Sequence, residues 1–179
     1  MNVKEIKRTR TLKDGSKLDE NYLTRYHIIP RNKYFNVYLH QFLGSDLDKA
    51  LHDHPWYSVS VILKGTYKEV VPIDPVAWSN NTDRRVKYIY RTPGSLIFRA
   101  PNSIHRIELL VDTSKPKNTL GNKYLKSNET VVNGTELPVW TLFITGPVLR
   151  SWGFWCPQGF VDNKIFLTPD GLSVGQGCD

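Results

Sequence analysis

Seven short stretches of strand character, separated by turn signals, limit what this chain can fold into. They run over residues 34–43 (YFNVYLHQFL), 57–64 (YSVSVILK), 66–72 (TYKEVVP), 86–91 (VKYIYR), 95–99 (SLIFR), 104–111 (IHRIELLV) and 139–145 (VWTLFIT). β-Branched and aromatic residues dominate them, and Gly65, Pro75, Pro93-Gly94 and Pro101-Asn102 punctuate the gaps. No segment offers a competing helix of amphipathic period. The chain is 12% aromatic and carries 12 glycines and 11 prolines, while Ala and Glu are scarce, which favours strands and turns. In 179 residues this predicts one all-β domain, a sandwich, jelly roll or barrel.

The pattern divides the chain into a basic N-terminal arm over 1–20, a barrel over 21–165 with a surface loop inserted at 112–136, and a C-terminal tail over 166–179. The inserted stretch is polar and turn-rich, and reads as a decoration or as a lid over a site. The net charge is +7, and residues 1–17 hold +4 of it, with Lys4, Lys7, Arg8, Arg10, Lys13 and Lys17 against Glu5 and Asp14. Such an arm can touch an acidic partner. No helix-turn-helix, zinc-finger or RNP-type signature accompanies it, so it reads as a solvated end and nucleic acid is not the expected partner. The N-terminal stretch is charged where a signal peptide is apolar, and no apolar run reaches membrane-spanning length, so the expectation is a cytoplasmic protein without membrane association. Cys156 and Cys178 form neither a disulfide framework nor a zinc pattern, and are expected as reduced thiols.

The chemistry concentrates at "LHDHPW", residues 51–56. In a strand, residues i and i+2 share a face about 7 Å apart, so His52 and His54 can aim at one point while Asp53 faces away. Farther on, Pro93-Gly94 opens a strand, Pro101-Asn102 turns it, and His105 begins the next. An HxH pair before a glycine-ended strand, followed by a PG...P...H segment, resembles the cupin superfamily. That resemblance implies a double-stranded β-helix, or jelly-roll barrel, whose first-motif histidines and second-motif histidine meet at one metal. It also allows a homodimer, since cupins often pair by lending edge strands.

Ser58 and Val59 stand where the usual first motif places a glutamate ligand. Three histidines without a carboxylate resemble the iron sites of thiol dioxygenases, and that likeness extends to Gly65 with Lys68-Glu69 and to His105-Arg106-Ile107-Glu108. It places Arg25 where that family grips a substrate carboxylate. The chain departs from those enzymes at Val59, where a crosslinked cysteine would lie, and at Thr141, Phe143 and Thr145, where a Ser-His-Tyr relay would lie. Over most of its length it resembles a group of bacterial and phage cupins built around "YLH...HDHPW...G.Y.E...HR...WTL..TGP...WGF", which implies no particular reaction.

The expected ligands are therefore His52, His54 and His105, holding a divalent metal, Fe(II) by resemblance, with Zn(II), Mn(II) or Ni(II) equally suited to imidazole. His40 and Glu69 are candidate catalytic residues: His40 as a fourth ligand, proton shuttle or packed core histidine, Glu69 as an acid, base or distant ligand. Arg25, Tyr67 and Arg106 are candidate substrate contacts, with Arg99 a further guanidinium fork. The aromatic segment 152–157 with Phe160 either stacks on a ring or packs over the barrel. The expected activity is Fe(II) dioxygenase-type oxidation of a small polar metabolite. The rival readings are a non-redox isomerase or lyase on a sugar or nucleotide derivative, and a non-catalytic ligand-binding or phage–host interaction module.

Overall fold

Charge alternating with apolar residues makes the N-terminal segment a hairpin instead of a solvated arm. In the computed structural model, which describes residues 2–11, 16–46, 50–114, 124–126, 129–132, 134–167 and 178, β1 (Asn2–Thr11) pairs antiparallel with β2 (Lys17–His27), and β2 continues onto β3 (Asn36–Phe42). Arg8, which reads in sequence as one more basic residue, is only 4% exposed. It pairs with Glu20 at 2.7 Å and Glu136 at 3.0 Å, and also donates to the Ser45 carbonyl.

The seven expected runs all appear as strands. After β3 come β4 (Leu51–His52), β5 (Ser58–Lys64), β6 (Tyr67–Pro72), β7 (Val86–Arg91), β8 (Leu96–Arg99) and β9 (Arg106–Leu109). A one-turn helix, α1 (Pro75–Ser79), capped by the Asp74 carboxylate, interrupts β6 and β7. The expected loop 112–136 contains paired strands in its described parts: β10 (Val111–Asp112) joins β13 (Thr135–Glu136), and β11 (Tyr124–Lys126) joins β12 (Glu129–Val132). Residues 115–123, 127–128 and 133 of that loop lie outside the described ones, as does most of the tail 166–179. The chain then forms β14 (Val139–Thr145), β15 (Gly153–Cys156), β16 (Gly159–Asp162) and α2 (Asn163–Phe166).

Strand order defines the architecture. One sheet runs β1-β2-β3-β14-β5-β8, and the facing layer consists of β7-β6-β9 and β16-β15-β4. A bridge between His52 and His105 joins those two pieces, so that β4 lies beside the start of β9. Consecutive strands from β3 to β9, closed by β14, thus interleave as β3-β14-β5-β8 facing β4-β9-β6-β7, which is the jelly-roll order of a cupin-type double-stranded β-helix.

Alternation decides what points inward. Tyr38, His40 and Phe42 on β3, Ser58, Ser60 and Ile62 on β5, and Thr141 on β14 are buried. Leu23, Phe42, Ile62, Tyr67, Ile97, Ile107, Leu109 and Val139 form the largest apolar core cluster among the described residues. At Gly65, between β5 and β6, φ is +82° and a Cβ would stand 2.5 Å from the Pro138 carbonyl oxygen, so the turn requires glycine.

The cysteines correct the expectation of two reduced thiols. Cys156 on β15 and Cys178 are joined by a disulfide across 22 residues of sequence, because the end of the chain returns to pack on the Ala50–Phe154–Phe166 cluster.

Candidate metal centre

Backbone pairing brings the first and third histidines together. The His52 N–H donates to the His105 carbonyl and the His105 N–H to the His52 carbonyl, both at 2.9 Å. His54, two residues on, returns to the same side, and one nitrogen from each of the three rings lies within 4.8 Å of the others. His54 Nε2 and His105 Nε2 are 3.1 Å apart. Two imidazole lone pairs that close need either a proton or a cation between them.

The opposite nitrogens face carboxylates. His105 Nδ1 lies 3.1 Å from Glu69 Oε1, without the N–H being aligned for a full hydrogen bond. His52 Nδ1 lies 3.9 Å from Asp46 Oδ2, and Asp46 is itself held by the Ile107 N–H at 2.6 Å and the Tyr22 hydroxyl. His105 thus turns Nε2 toward His54, and carboxylates stand on the Nδ1 sides of His105 and His52, where acceptors orient metal-binding histidines. His54 has an aromatic setting: it stacks on Trp56 at 6.1 Å and on Trp152 at 6.3 Å.

Electrostatics keep the rings in the ligand form. Burial, then the neighbouring His52, His105, Arg99 and Arg25, holds His54 well below the usual imidazole range. Burial and the Arg99 cation lower His105 to about 4, against the opposing pull of Glu69. Both are neutral at pH 7, so a divalent cation would displace no proton from them. The donor set, three ring nitrogens converging on one point, fits a divalent transition metal.

Glu69 is 2% exposed. Burial pushes its pKa upward, and the His105 contact and Arg99 overcome that, holding the carboxyl far below the usual range. Arg99 donates to Oε1, and Arg91 Nε to Oε2 at 2.7 Å. Glu69, expected as an acid, base or distant ligand, thus stands between His105 on one side and Arg99 and Arg91 on the other.

Arg25 and His40 are brought together. Arg25 Nε donates to His40 Nε2 at 2.9 Å, and the guanidinium sits 4.9 Å from the Tyr38 ring centre. Burial and the Arg25 charge hold His40 well below its ordinary pKa, so it is a neutral acceptor whose Nε2 is already engaged. Among the described residues Arg25 forms no ion pair, and its charge reaches His54.

Of the expected substrate contacts, Tyr67 is 1% exposed, packs in the apolar core cluster and sets its hydroxyl against Arg99, beside Glu69. Arg106 lies on the opposite face of β9 from the buried Ile107 and Leu109, where it pairs with Glu108 at 2.6 Å. Strand alternation explains Arg106, since it follows the ligand His105 by one residue. A groove of about 540 Å³ between β5, β8 and β14, lined by residues including Phe35, Tyr57, Phe98 and Ile144, contains none of the three histidines.

Asp46, Asp53, Arg150, Trp56 and Trp152 complete the surroundings but are not predicted as site residues from sequence. In the aromatic segment Phe154 packs on Phe166, as the packing reading expects, and Trp152 stands 6.5 Å from His52.

No family model matches the chain, and no curated protein matches its sequence. Solved structures of cupin fold do match. DMSP lyase DddQ from Ruegeria pomeroyi DSS-3 is 14% identical over 86% of this chain and 63% of that one, with a TM-score of 0.44. Polyketide cyclase RemF from Streptomyces resistomycificus is 15% identical over 79% and 73%, with a TM-score of 0.41. Hydroxypropylphosphonic acid epoxidase from S. wedmorenis is 13% identical over 76% and 55%, also at 0.41. The chain spans about half the length of the epoxidase structures, 51% and 55% of two of them.

Proposed function

We propose that this chain is a metal-dependent enzyme that binds one divalent ion through His52, His54 and His105 and acts on a small anionic metabolite, with Fe(II)-dependent oxidation as the reaction class. The observation that carries the reading is the convergence of three ring nitrogens within 4.8 Å, with carboxylates facing the Nδ1 atoms of two of the rings. A bound redox ion would supply oxygen activation there, and a Lewis-acid ion would polarise a carbonyl or water.

The chain's own residues supply binding and orientation. Arg25 is a fixed cation without a carboxylate partner among the described residues, and suits a substrate carboxylate or phosphate. His40 holds the Arg25 fork from one side and Tyr38 from another, so little of its freedom remains to be lost on binding. Glu69 keeps His105 turned, while Trp56 and Trp152 wall His54 and exclude water from that side.

Elemental analysis of the purified protein beside the His105→Ala variant tests the reading. About one equivalent of metal that is lost in the variant is the expected result, followed by oxygen consumption with small carboxylates when Fe(II) is supplied. Turnover without oxygen on a non-redox ion would favour the isomerase or lyase class. No metal in either protein would overturn the enzyme reading in favour of a binding module.

A further inference from the structure

We infer that the ion pair between the buried Asp53 and the half-buried Arg150 is a positioning device for the metal centre, an inference that rests on the three-histidine reading above. Asp53 sits between two candidate ligands and is 0% exposed. Burying a carboxylate is costly unless it is fully partnered. Here it is: Arg150 Nη1 donates to Oδ2 at 2.7 Å, Trp155 Nε1 to Oδ2 at 3.2 Å, and the Gly153 N–H to Oδ1 at 3.0 Å. Arg150 Nη1 also donates to the Pro101 carbonyl at 3.0 Å.

These bonds join three segments, each of which carries part of the centre. Residues 52–54 hold two of the histidines. Pro101 lies in the turn that leads to the third. Residues 152–154 form the wall, with Trp152 against His52 and His54 and Phe154 5.8 Å from His52. The backbone bridge already locks His52 to His105, but His54 lies beyond it, outside any strand. Asp53 pins that stretch to β15 through its side chain and through its own N–H, which donates to the Gly153 carbonyl at 3.1 Å. Because Asp53 points away from the shared face of its neighbours, it fixes where His54 stands without occupying the site. Asp53 and Arg150 are positioning residues: they touch neither a ligand ring nor the space between the rings.

The test is titration of chelator-treated protein with Co(II) alone, reading stoichiometry, affinity by competition with a chelator, and the visible ligand-field spectrum, with the thermal midpoint of the metal-free form measured in parallel. Asp53→Asn keeps one acceptor, for the Gly153 N–H, but removes the charge and turns an amide NH2 toward Arg150 and Trp155. Arg150→Gln removes the cation. Both variants are expected to bind one equivalent at least about tenfold more weakly than the unaltered protein and with a changed spectrum. The double variant should lose less than the product of the two single losses, because the pair acts as one unit. Arg150→Lys, which keeps the charge, should recover part of the affinity, and with Arg150→Gln it carries the comparison alone if Asp53→Asn does not fold. Unaltered affinity and spectrum in the folded variants, whatever their thermal midpoints, would reduce the pair to a fold-stabilising contact and overturn the inference. Failure of the unaltered protein to bind Co(II), or equal binding by His105→Ala, would instead bring down the three-histidine reading itself.

Discussion

Glu69 ties the electrostatics of the centre to one side chain. Its carboxylate stands between His105 and two arginines, and the His105 contact and Arg99 hold its pKa far below the usual carboxylate range. Replacing it by Gln should weaken metal binding by about 10- to 100-fold, read by equilibrium dialysis, since supports behind a ligand histidine matter on that scale. The same residues set an acid limit on the metal-free fold. His105 titrates at about 4 in the folded protein, below the ordinary imidazole value, so its contribution is complete above about pH 6.5 and is lost as pH falls toward 4. Glu69 adds a second loss below about pH 4.5, again because its folded pKa is depressed. Urea titrations of chelator-treated protein should therefore show stability level from pH 8 to 7 and falling by up to about 3 kcal/mol from His105 alone between 6.5 and 4. A His105→Gln variant should flatten that first decline. The His52–His54 pair was legible as a pattern of sequence neighbours, and His105 through the family resemblance. Asp46 and Arg150 were not, because Arg150 meets Asp53 across 97 residues of sequence and only the folded register brings them together.

At the level of elements, the strands that alternate apolar and polar residues could be read directly, and β5, β7 and β14 fall within a residue of their expected limits. The β1–β2 hairpin escaped because its inward positions include arginines, so that the pattern looks like a solvated basic arm. Arg8 is the clearest case. It docks the hairpin onto Glu136 of β13 and onto the Ser45 carbonyl, and the neighbouring Gly44 has no room for a side chain, since a Cβ there would meet the Arg8 guanidinium at 2.5 Å. Arg8→Ala should lower stability by about 3 kcal/mol, because it removes the guanidinium's contacts with Glu20, Glu136 and the Ser45 carbonyl at once. Amide exchange should rise across β1 and β2 in that variant while β5 and β14 stay protected; uniform protection in all four strands would mean that the hairpin is held by its backbone ladder alone.

For the molecule as a whole, the jelly roll was expected from two short motifs, but its closure depends on contacts the sequence does not announce. The β15–β16 pair lies against β4, so the C-terminal segment supports the strand that carries His52. No helix among the described residues is long and apolar enough to cross a membrane. The Cys156–Cys178 bond fastens the end of the chain to this same segment. Two cysteines separated by 22 residues gave no reason to pair them, since spacing alone does not distinguish a bridge from two thiols. Closing a loop of that length removes unfolded-state entropy worth about 3 kcal/mol, so reduction should lower the thermal midpoint by several degrees. Alkylation of the unfolded, unreduced protein followed by mass measurement checks the bond directly: no added label is expected before reduction and two labels after it. Because Phe154 of β15 contacts His52 and Trp155 holds Asp53, the reduced protein should also bind metal more weakly than the oxidised one. If two labels enter without reduction, the tail is held by packing on Phe154 and Phe166 alone, and metal affinity should then be indifferent to thiols in the buffer.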